Sequence, residues 1–304
     1  MSTEAFAVVN PVAGGGRVGA TWSTLSEALR QAGLQFQAQL TGRPGDGTPI
    51  TRKAIAEGFR HIICVGGDGT VNEVVNGLVL DGRIPSDVVL SILPQGTGSD
   101  FGRAMNIPRV TAEAVRLAAS GRTRVVDIAL IRCLRDGQPV ERYFVNVAGV
   151  GFDGDTCVRV NRMSKRLGGT IPYLTGLVMS LISYQNKPTV VTHDGQRVRG
   201  KYNSVVVCNG QYFGGGMWVG PRAAADDGLL DVVILGDLNK VELLLNLPRV
   251  YRGTHLTHPK VSTFRTRHVR IESEGRMYLE AEGELVGETP AELSILRSAL
   301  TIHG

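Results

Sequence analysis

The stretch Val65-Gly66-Gly67-Asp68-Gly69-Thr70-Val71-Asn72-Glu73 constrains this chain most. The apolar run before it, His61 to Val65, reads as a short buried strand, and the residues after Thr70 read as a helix. Three glycines, a carboxylate and a hydroxyl lie between them. Glycine at a strand-to-helix turn lets backbone approach a bulky group, and the open amides at a helix start favour an anion. A carboxylate in that turn repels a phosphate unless a cation or a proton transfer comes with it. The residue types therefore point to a site for a metal-bound nucleotide, although a tight glycine turn in any α/β domain would also contain them.

The same arrangement recurs twice. Ala5 to Val9 reads as a strand and runs into Asn10-Pro11-Val12-Ala13-Gly14-Gly15-Gly16-Arg17, where the arginine suits a phosphate or a solvated loop. This turn is neither a dinucleotide fingerprint nor a Walker A loop, since no Gly-Lys-Ser/Thr follows. Val88 to Leu93 is another buried strand, ending in Pro94-Gln95-Gly96-Thr97-Gly98-Ser99-Asp100-Phe101. Between these strands, Trp22, Leu25, Ala28, Leu29 and Ala32 recur at helical spacing, Leu34 to Leu40 alternates like a strand, and Ile50 to Glu57 and Val71 to Leu80 read as helices. Strand–helix alternation predicts a doubly wound parallel sheet, with ligands at the carboxyl ends of its strands.

The pattern changes near Val125. Short strands follow over Val125 to Ile131, Tyr143 to Ala148, Thr189 to Thr192, Ser204 to Cys208 and Leu230 to Leu235, with more from Val261 to Ile302. Helices are predicted over Asp155 to Arg166, Ile171 to Ser183 and Lys240 to Tyr251. The expected architecture is an N-terminal doubly wound α/β nucleotide-binding domain over residues 1–124, to which residues 297–304 return. A C-terminal antiparallel, β-sandwich-like domain covers residues 125–296, with the cleft between the two.

Charge and composition narrow the partners. A net charge of +5 and a pI of about 9.2 suit phosphate ligands or an anionic membrane, and are too weak to argue for nucleic acid. Cys64, Cys133, Cys157 and Cys208 lack metal-ligand spacing and read as buried thiols of a cytoplasmic protein. The longest apolar stretch, Ile171 to Ser183, is shorter than the roughly 20 residues a membrane span needs, and the N-terminus lacks signal-peptide regions. Arg159, Arg162, Lys165 and Arg166 precede that stretch and could touch an anionic membrane transiently, or form a solvated helix face. His255 and His258 lack a third ligand and read as surface residues, whereas Trp218 reads as core or cleft lining.

Several motifs in order resemble the diacylglycerol kinase catalytic-domain family, which also contains sphingosine and ceramide kinases and bacterial soluble lipid kinases. They are Asn10-Pro-x-Ala-Gly-Gly, Gly66 to Glu73, and Pro94-x-Gly96-Thr97-x-x-Asp100-Phe101. Further on come Gly149-Val-Gly151-Phe152-Asp153, Gly214 to Met217, Asp226 to Asp231, and Glu282-Gly283-Glu284 with Thr289-Pro290. The resemblance implies transfer of the ATP γ-phosphoryl group to a lipid hydroxyl, with diacylglycerol as default acceptor and phosphatidic acid as product. A sphingoid base, ceramide, a glycolipid or an NAD kinase-like acceptor are the alternatives, as is a non-catalytic nucleotide- or lipid-binding protein; a homodimer stays open.

The resemblance also implies roles. Asn10, Pro11, Val12, Ala13, Gly14, Thr41, Gly66, Gly67, Asp68, Gly69, Thr70, Asn72, Glu73 and Thr97 become nucleotide contacts, with Arg17 as a phosphate clamp. Asp68 would sit near the phosphates and the catalytic Mg2+, and Glu284 would be the general base. A second Mg2+ maps to the Asp227 side chain and the carbonyls of Ala224 and Leu229. One departure stands out. Glu282 replaces the family's Asp, which changes how the turn carrying Glu284 is supported.

Overall fold

The computed structural model describes residues 4–167, 179–181 and 183–304. Most of the helix expected over Ile171 to Ser183 lies outside the described residues, as do the side chains of Arg162, Lys165 and Arg166. The chain divides into two compact units. The first comprises Met1–Ile128, Ala225–Asp227 and Leu296–Gly304, and the second Ala129–Ala224 and Gly228–Ile295.

The first unit is a parallel sheet wound on both faces. Strands β1 (Ala5–Val9), β2 (Phe36–Leu40), β3 (His61–Gly66) and β4 (Val89–Pro94) lie in the order β4-β3-β1-β2, and the chain's last strand adds Thr301 and Ile302 beside Val89 and Leu90. Alternate residues face opposite sides of a strand. Ala5, Ala7, Val9, Ile63 and Val65 bury against α1 (Arg17–Gln31) and α5 (Thr111–Ala119), through Val18, Leu25 and Leu29 of one and Ala114, Val115 and Ala118 of the other. Phe6, Val8, Ile62 and Cys64 are buried as well and alternate with that set, while α2 (Gly47–Ala56) and α3 (Asp68–Leu78) pack on each other and on the sheet. A short α4 (Asp100–Ala104) follows β4. Helix α5 was not anticipated from the sequence, although its Ala, Leu, Arg and Glu content favours a helix.

Parallel register decides where the glycine turns end up. Val9 pairs with Val65, and Gly66 pairs with Pro94, so β1, β3 and β4 finish level and their turns emerge side by side.

The second unit is largely antiparallel. After β5 (Thr123–Arg135) come β6 (Gln138–Phe144), β7 (Val147–Gly151), α6 (Phe152–Leu167), β8 (Lys187–His193), β9 (Gln196–Tyr202), β10 (Ser204–Cys208) and β11 (Leu230–Leu235). Helix α7 (Lys240–Tyr251) precedes β12 (Val261–Thr266), β13 (His268–Ser273), β14 (Tyr278–Ala281) and β15 (Glu284–His303). One run is ordered β12-β11-β10-β7-β14-β15, while β9-β8-β13 and β6-β5 also join β15. Ile131, Phe144, Val150, Val205, Val232, Ile271, Leu279 and Leu293 form the core.

The single strand expected over Tyr143 to Ala148 is divided between β6 and β7. The reason is a side chain: the amides of Val145 and Asn146 donate to Glu282 Oε1 at 2.9 and 2.7 Å, which interrupts the ladder. Among the described residues no helix is long and apolar enough to cross a membrane.

Candidate active site

The three glycine turns of the first unit are bonded to one another. The Asn10 amide donates to Val65 O at 2.9 Å, the Gln95 amide to Gly66 O at 2.8 Å, and Asn10 Nδ2 to Thr70 Oγ1 at 2.9 Å. Asn10 Oδ1 accepts the Val12 amide at 3.2 Å and so folds its own loop. Gly14, Gly15 and Gly16 follow with φ of 62, 71 and 87°, which no other residue type adopts three times running without strain. The turns also touch backbone to backbone. A Cβ at Gly96 would stand 2.5 Å from Gly67 Cα, and one at Gly14 would stand 2.7 Å from Gln95 O.

This surface has the right character for a triphosphate. It is lined by backbone, and Gly16 caps α1 without a side chain, while the Val18 and Gly19 amides bond to Ala13 O and Pro11 O and so tie the loop to the helix start. Arg17 is exposed and donates from Nε to Gly14 O at 3.1 Å, which holds the guanidinium over the turn. Thr97 is exposed, and Val12 is 75% exposed, with its amide and carbonyl already bonded within the loop to Asn10 Oδ1 and the Gly16 amide. Asp68 is half-buried, and its Oδ1 accepts the Phe101 amide at 3.1 Å, which joins the start of α3 to the start of α4. No group of three or more His, Cys, Asp or Glu among the described residues could hold a metal by side chains alone. A cation here would rest on one carboxylate with phosphate and water oxygens, as magnesium does.

Asn72 and Glu73 point elsewhere. Asn72 is 1% exposed, and its carbonyl accepts Asn76 Nδ2 at 2.8 Å. The Glu73 carboxylate accepts the amides of Gly45 at 2.8 Å and Gly47 at 2.7 Å, and Thr48 Oγ1 donates to Glu73 O at 2.9 Å. Glu73 thus anchors the loop that follows Thr41, itself buried and bonded through its amide to Val9 O at 2.8 Å.

In the second unit, the turn Glu282-Gly283-Glu284 has two left-handed residues, Glu282 (φ 56°) and Gly283 (φ 81°). The carboxylate of Glu282 holds the β6–β7 link, so the longer side chain is used as a brace. Glu284 is half-exposed, with Arg142 Nη2 3.3 Å from its Oε2. Glu280, two residues before Glu282, is only 1% exposed. Its Oε2 accepts the Gly283 amide at 2.9 Å, while Oε1 has no hydrogen-bond partner. Burial, and then the charge of Asp153, push the Glu280 carboxyl well above the usual carboxylate range; burial raises Asp153 as well.

These two acids are the charged groups on the wall of a cavity of about 400 Å³ that is otherwise mostly apolar, lined among others by Phe152, Val206, Leu235, Leu244, Leu247 and Gly283. Nothing in the sequence marked the cavity, because its lining comes from distant segments. His255, expected at the surface, is 2% exposed, lines the cavity and has its Nε2 3.1 Å from Val219 O. Burial lowers its pKa and so keeps the ring neutral. Trp218 stacks on Tyr212 at 6.0 Å. Asp227 is exposed and belongs to the first unit, while Ala224 and Leu229 belong to the second.

The comparisons with known proteins fit this geometry. Residues 4–131 match the diacylglycerol kinase catalytic domain, and residues 146–304 match the YegS C-terminal NAD kinase beta sandwich-like domain. A diacylglycerol kinase of Staphylococcus carnosus (strain TM300) is 30% identical over 275 residues, covering 90% of this chain and 86% of its own. One of Bacillus subtilis (strain 168) is 31% identical over 269 residues, covering 88% and 84%. A solved diacylglycerol kinase of Bacillus anthracis str. Sterne shares the fold at a TM-score of 0.73 and 23% identity, covering 99% and 96% of the two chains. Yeast NADH kinase shares it more distantly, at a TM-score of 0.53 and 8% identity, covering 99% and 83%. With matching domains in both halves and relatives aligned over most of their length, the chain belongs to the diacylglycerol kinase family and is a kinase.

Proposed function

We propose that this kinase is ATP- and Mg2+-dependent and phosphorylates a lipid hydroxyl, with diacylglycerol as acceptor and phosphatidic acid as product. The observation that carries the reading is the apolar cavity whose wall includes Gly283, the residue before Glu284. A cavity of that size and lining suits acyl chains rather than a nucleotide acceptor.

In this reading the turns at Asn10 to Gly14, Gly66 to Thr70 and Thr97 hold the triphosphate through backbone amides, with Arg17 as clamp. Thr41, Asn72 and Glu73 keep those turns in place. Magnesium would neutralise charge on the phosphates, held by Asp68 and, at a second position, by Asp227 with the carbonyls of Ala224 and Leu229. The lipid hydroxyl oxygen bonds to the γ-phosphorus as the bond to the β–γ bridging oxygen breaks. ADP leaves, and the hydroxyl proton passes to Glu284, which Arg142 orients. A substrate with two acyl chains resides in a bilayer, so the enzyme works from the cytoplasm in transient contact with an anionic membrane.

Transfer of labelled phosphate from ATP is to be measured with diacylglycerol, a sphingoid base, ceramide, a glycolipid and NAD. Diacylglycerol is expected to lead. Glu284→Gln should lower kcat about 10²- to 10⁴-fold while ATP still binds, as loss of a general base does. Asp68→Ala should abolish transfer. Lipid phosphorylation that survives both substitutions, or a preference for NAD, would refute the assignment.

A further inference from the structure

Beside the polar groups of Thr156, Asn246, Tyr251, His255 and His258, the apolar cavity is lined by two buried acids, each with one carboxyl oxygen that lacks a hydrogen-bond partner. Glu280 is 1% exposed with Oε1 unpartnered, and Asp153 Oδ2 is likewise closed to solvent and unpartnered. The two oxygens converge. A Cβ placed on Gly149 of β7 would stand 2.9 Å from each of them, so only a glycine leaves room there. Among the described residues no lysine or arginine lines the cavity. Glu280 also faces the other way, because its Oε2 accepts the Gly283 amide at 2.9 Å; Cys157 Sγ donates to Gly283 O at 3.2 Å from the same side. One side chain therefore touches both the cavity and the turn that carries Glu284.

Resting on the reading of the cavity as a lipid pocket, we propose that Asp153 and Glu280 are its polar anchor, donating a hydrogen bond to an ester carbonyl of the acceptor lipid and so setting its free hydroxyl at Glu284. Two buried acids this close cannot both ionise, so the pair retains a proton at neutral pH and presents an O–H as well as lone pairs. Burial is the first cause of the raised pKa of each group, and for Glu280 the neighbouring Asp153 is the second. The hydroxyl to be phosphorylated must be free for Glu284, which leaves the ester oxygens of a diacylglycerol for the anchor, and these only accept. A buried donor built for such an oxygen discriminates strongly against an analogue that lacks it, because the donor is then left unpaired. Glu280 is a positioning residue in this scheme.

The test compares two short-chain lipids that differ only in the carbonyls, 1,2-dioctanoylglycerol and the diether 1,2-dioctylglycerol. Binding to the full chain is measured by calorimetry without ATP, so the result stands whether or not the lipid is phosphorylated. The wild-type chain should bind the ester at least tenfold more tightly than the ether. Glu280→Met should reduce that preference to within twofold, and Glu280→Gln, whose amide can still donate and whose oxygen can still accept from Gly283, should restore it. Asp153→Val provides the same readout if Glu280→Met does not fold. In turnover assays the KM for the ester should rise at least tenfold in Glu280→Met while the KM for ATP stays put. Equal binding of ester and ether by the wild type would overturn the proposal. So would a preference that survives both apolar substitutions, or tighter binding of a long-chain amine than of either lipid, since the last would mean a charged pair that receives a cation.

Discussion

Glu73 is the residue for which the family resemblance and the geometry give different expectations, and its substitution separates them. The resemblance makes it a nucleotide contact. In the fold its carboxylate accepts the amides of Gly45 and Gly47 at 2.8 and 2.7 Å, and a Cβ on Gly47 would stand 2.7 Å from Oε2. Glu73→Ala leaves both amides without acceptors. Gly45 is exposed and can turn to water, so its loss costs little; Gly47 is buried, and its amide bears the desolvation penalty of about 1–3 kcal/mol. Loss of packing by the half-turned loop adds to this, for a total of about 2–4 kcal/mol. For a unit of this size each kcal/mol moves Tm by about 2–4 °C, so the first unit should melt about 4–16 °C earlier. Glu73→Gln should lie between, since one amide keeps an acceptor while the other meets an NH2. Scanning calorimetry gives the melting temperature, and nucleotide titration at 10 °C below the variant's own midpoint gives affinity. The reasoning fails if Glu73→Ala melts like the wild type and loses only nucleotide affinity.

Two further predictions concern the first unit. Gly96→Ala puts a Cβ 2.5 Å from Gly67 Cα, a backbone clash that no rotamer relieves, so the two turns must separate. The cost should be about 1–3 kcal/mol of stability, with ATP affinity falling at least tenfold in a filter-binding assay; unchanged affinity would remove the phosphate cradle from these turns. The second concerns pH. Ser91 Oγ lies 2.7 Å from His61 Nε2 and 2.8 Å from His303 Nδ1, and its single proton can be donated to only one of the two ring nitrogens. Burial first, and the nearby His303 second, lower the His61 pKa from 6.5 to about 4. The unfolded chain therefore binds the proton more readily, so this contribution is fully present above pH 6.5 and is lost as pH falls towards 4. It amounts to about 3 kcal/mol. Urea midpoints should drop between pH 7 and pH 5, and His61→Phe should flatten that slope; an equal slope in the variant would refute the assignment.

The first unit was largely legible because its determinants are local. Strand periodicity, glycine at positions needing left-handed φ, and helix starts after each turn all act within a few residues, so β1, β3, β4 and α3 lie close to where the sequence puts them. Even there, α5 went unread although its composition favours a helix. The site residues were legible as motifs, but their duties were not. Glu73, Glu280 and Glu282 look alike in sequence, as acids within four residues of a glycine. Folding gives them different surroundings: amides of a loop for Glu73, a second acid and an apolar wall for Glu280, and the β6–β7 link for Glu282.

What the sequence determined by itself was a parallel sheet that ends in three glycine turns, because strand pattern and glycine are properties of neighbouring residues. What only the tertiary structure decided was the burial of charge. Whether a carboxyl group is solvated, braced by amides or forced to keep its proton depends on which distant strands and helices surround it. Asp153 opens α6 and Glu280 lies in β14, and they come together because β7, which leads into α6, is the ladder neighbour of β14.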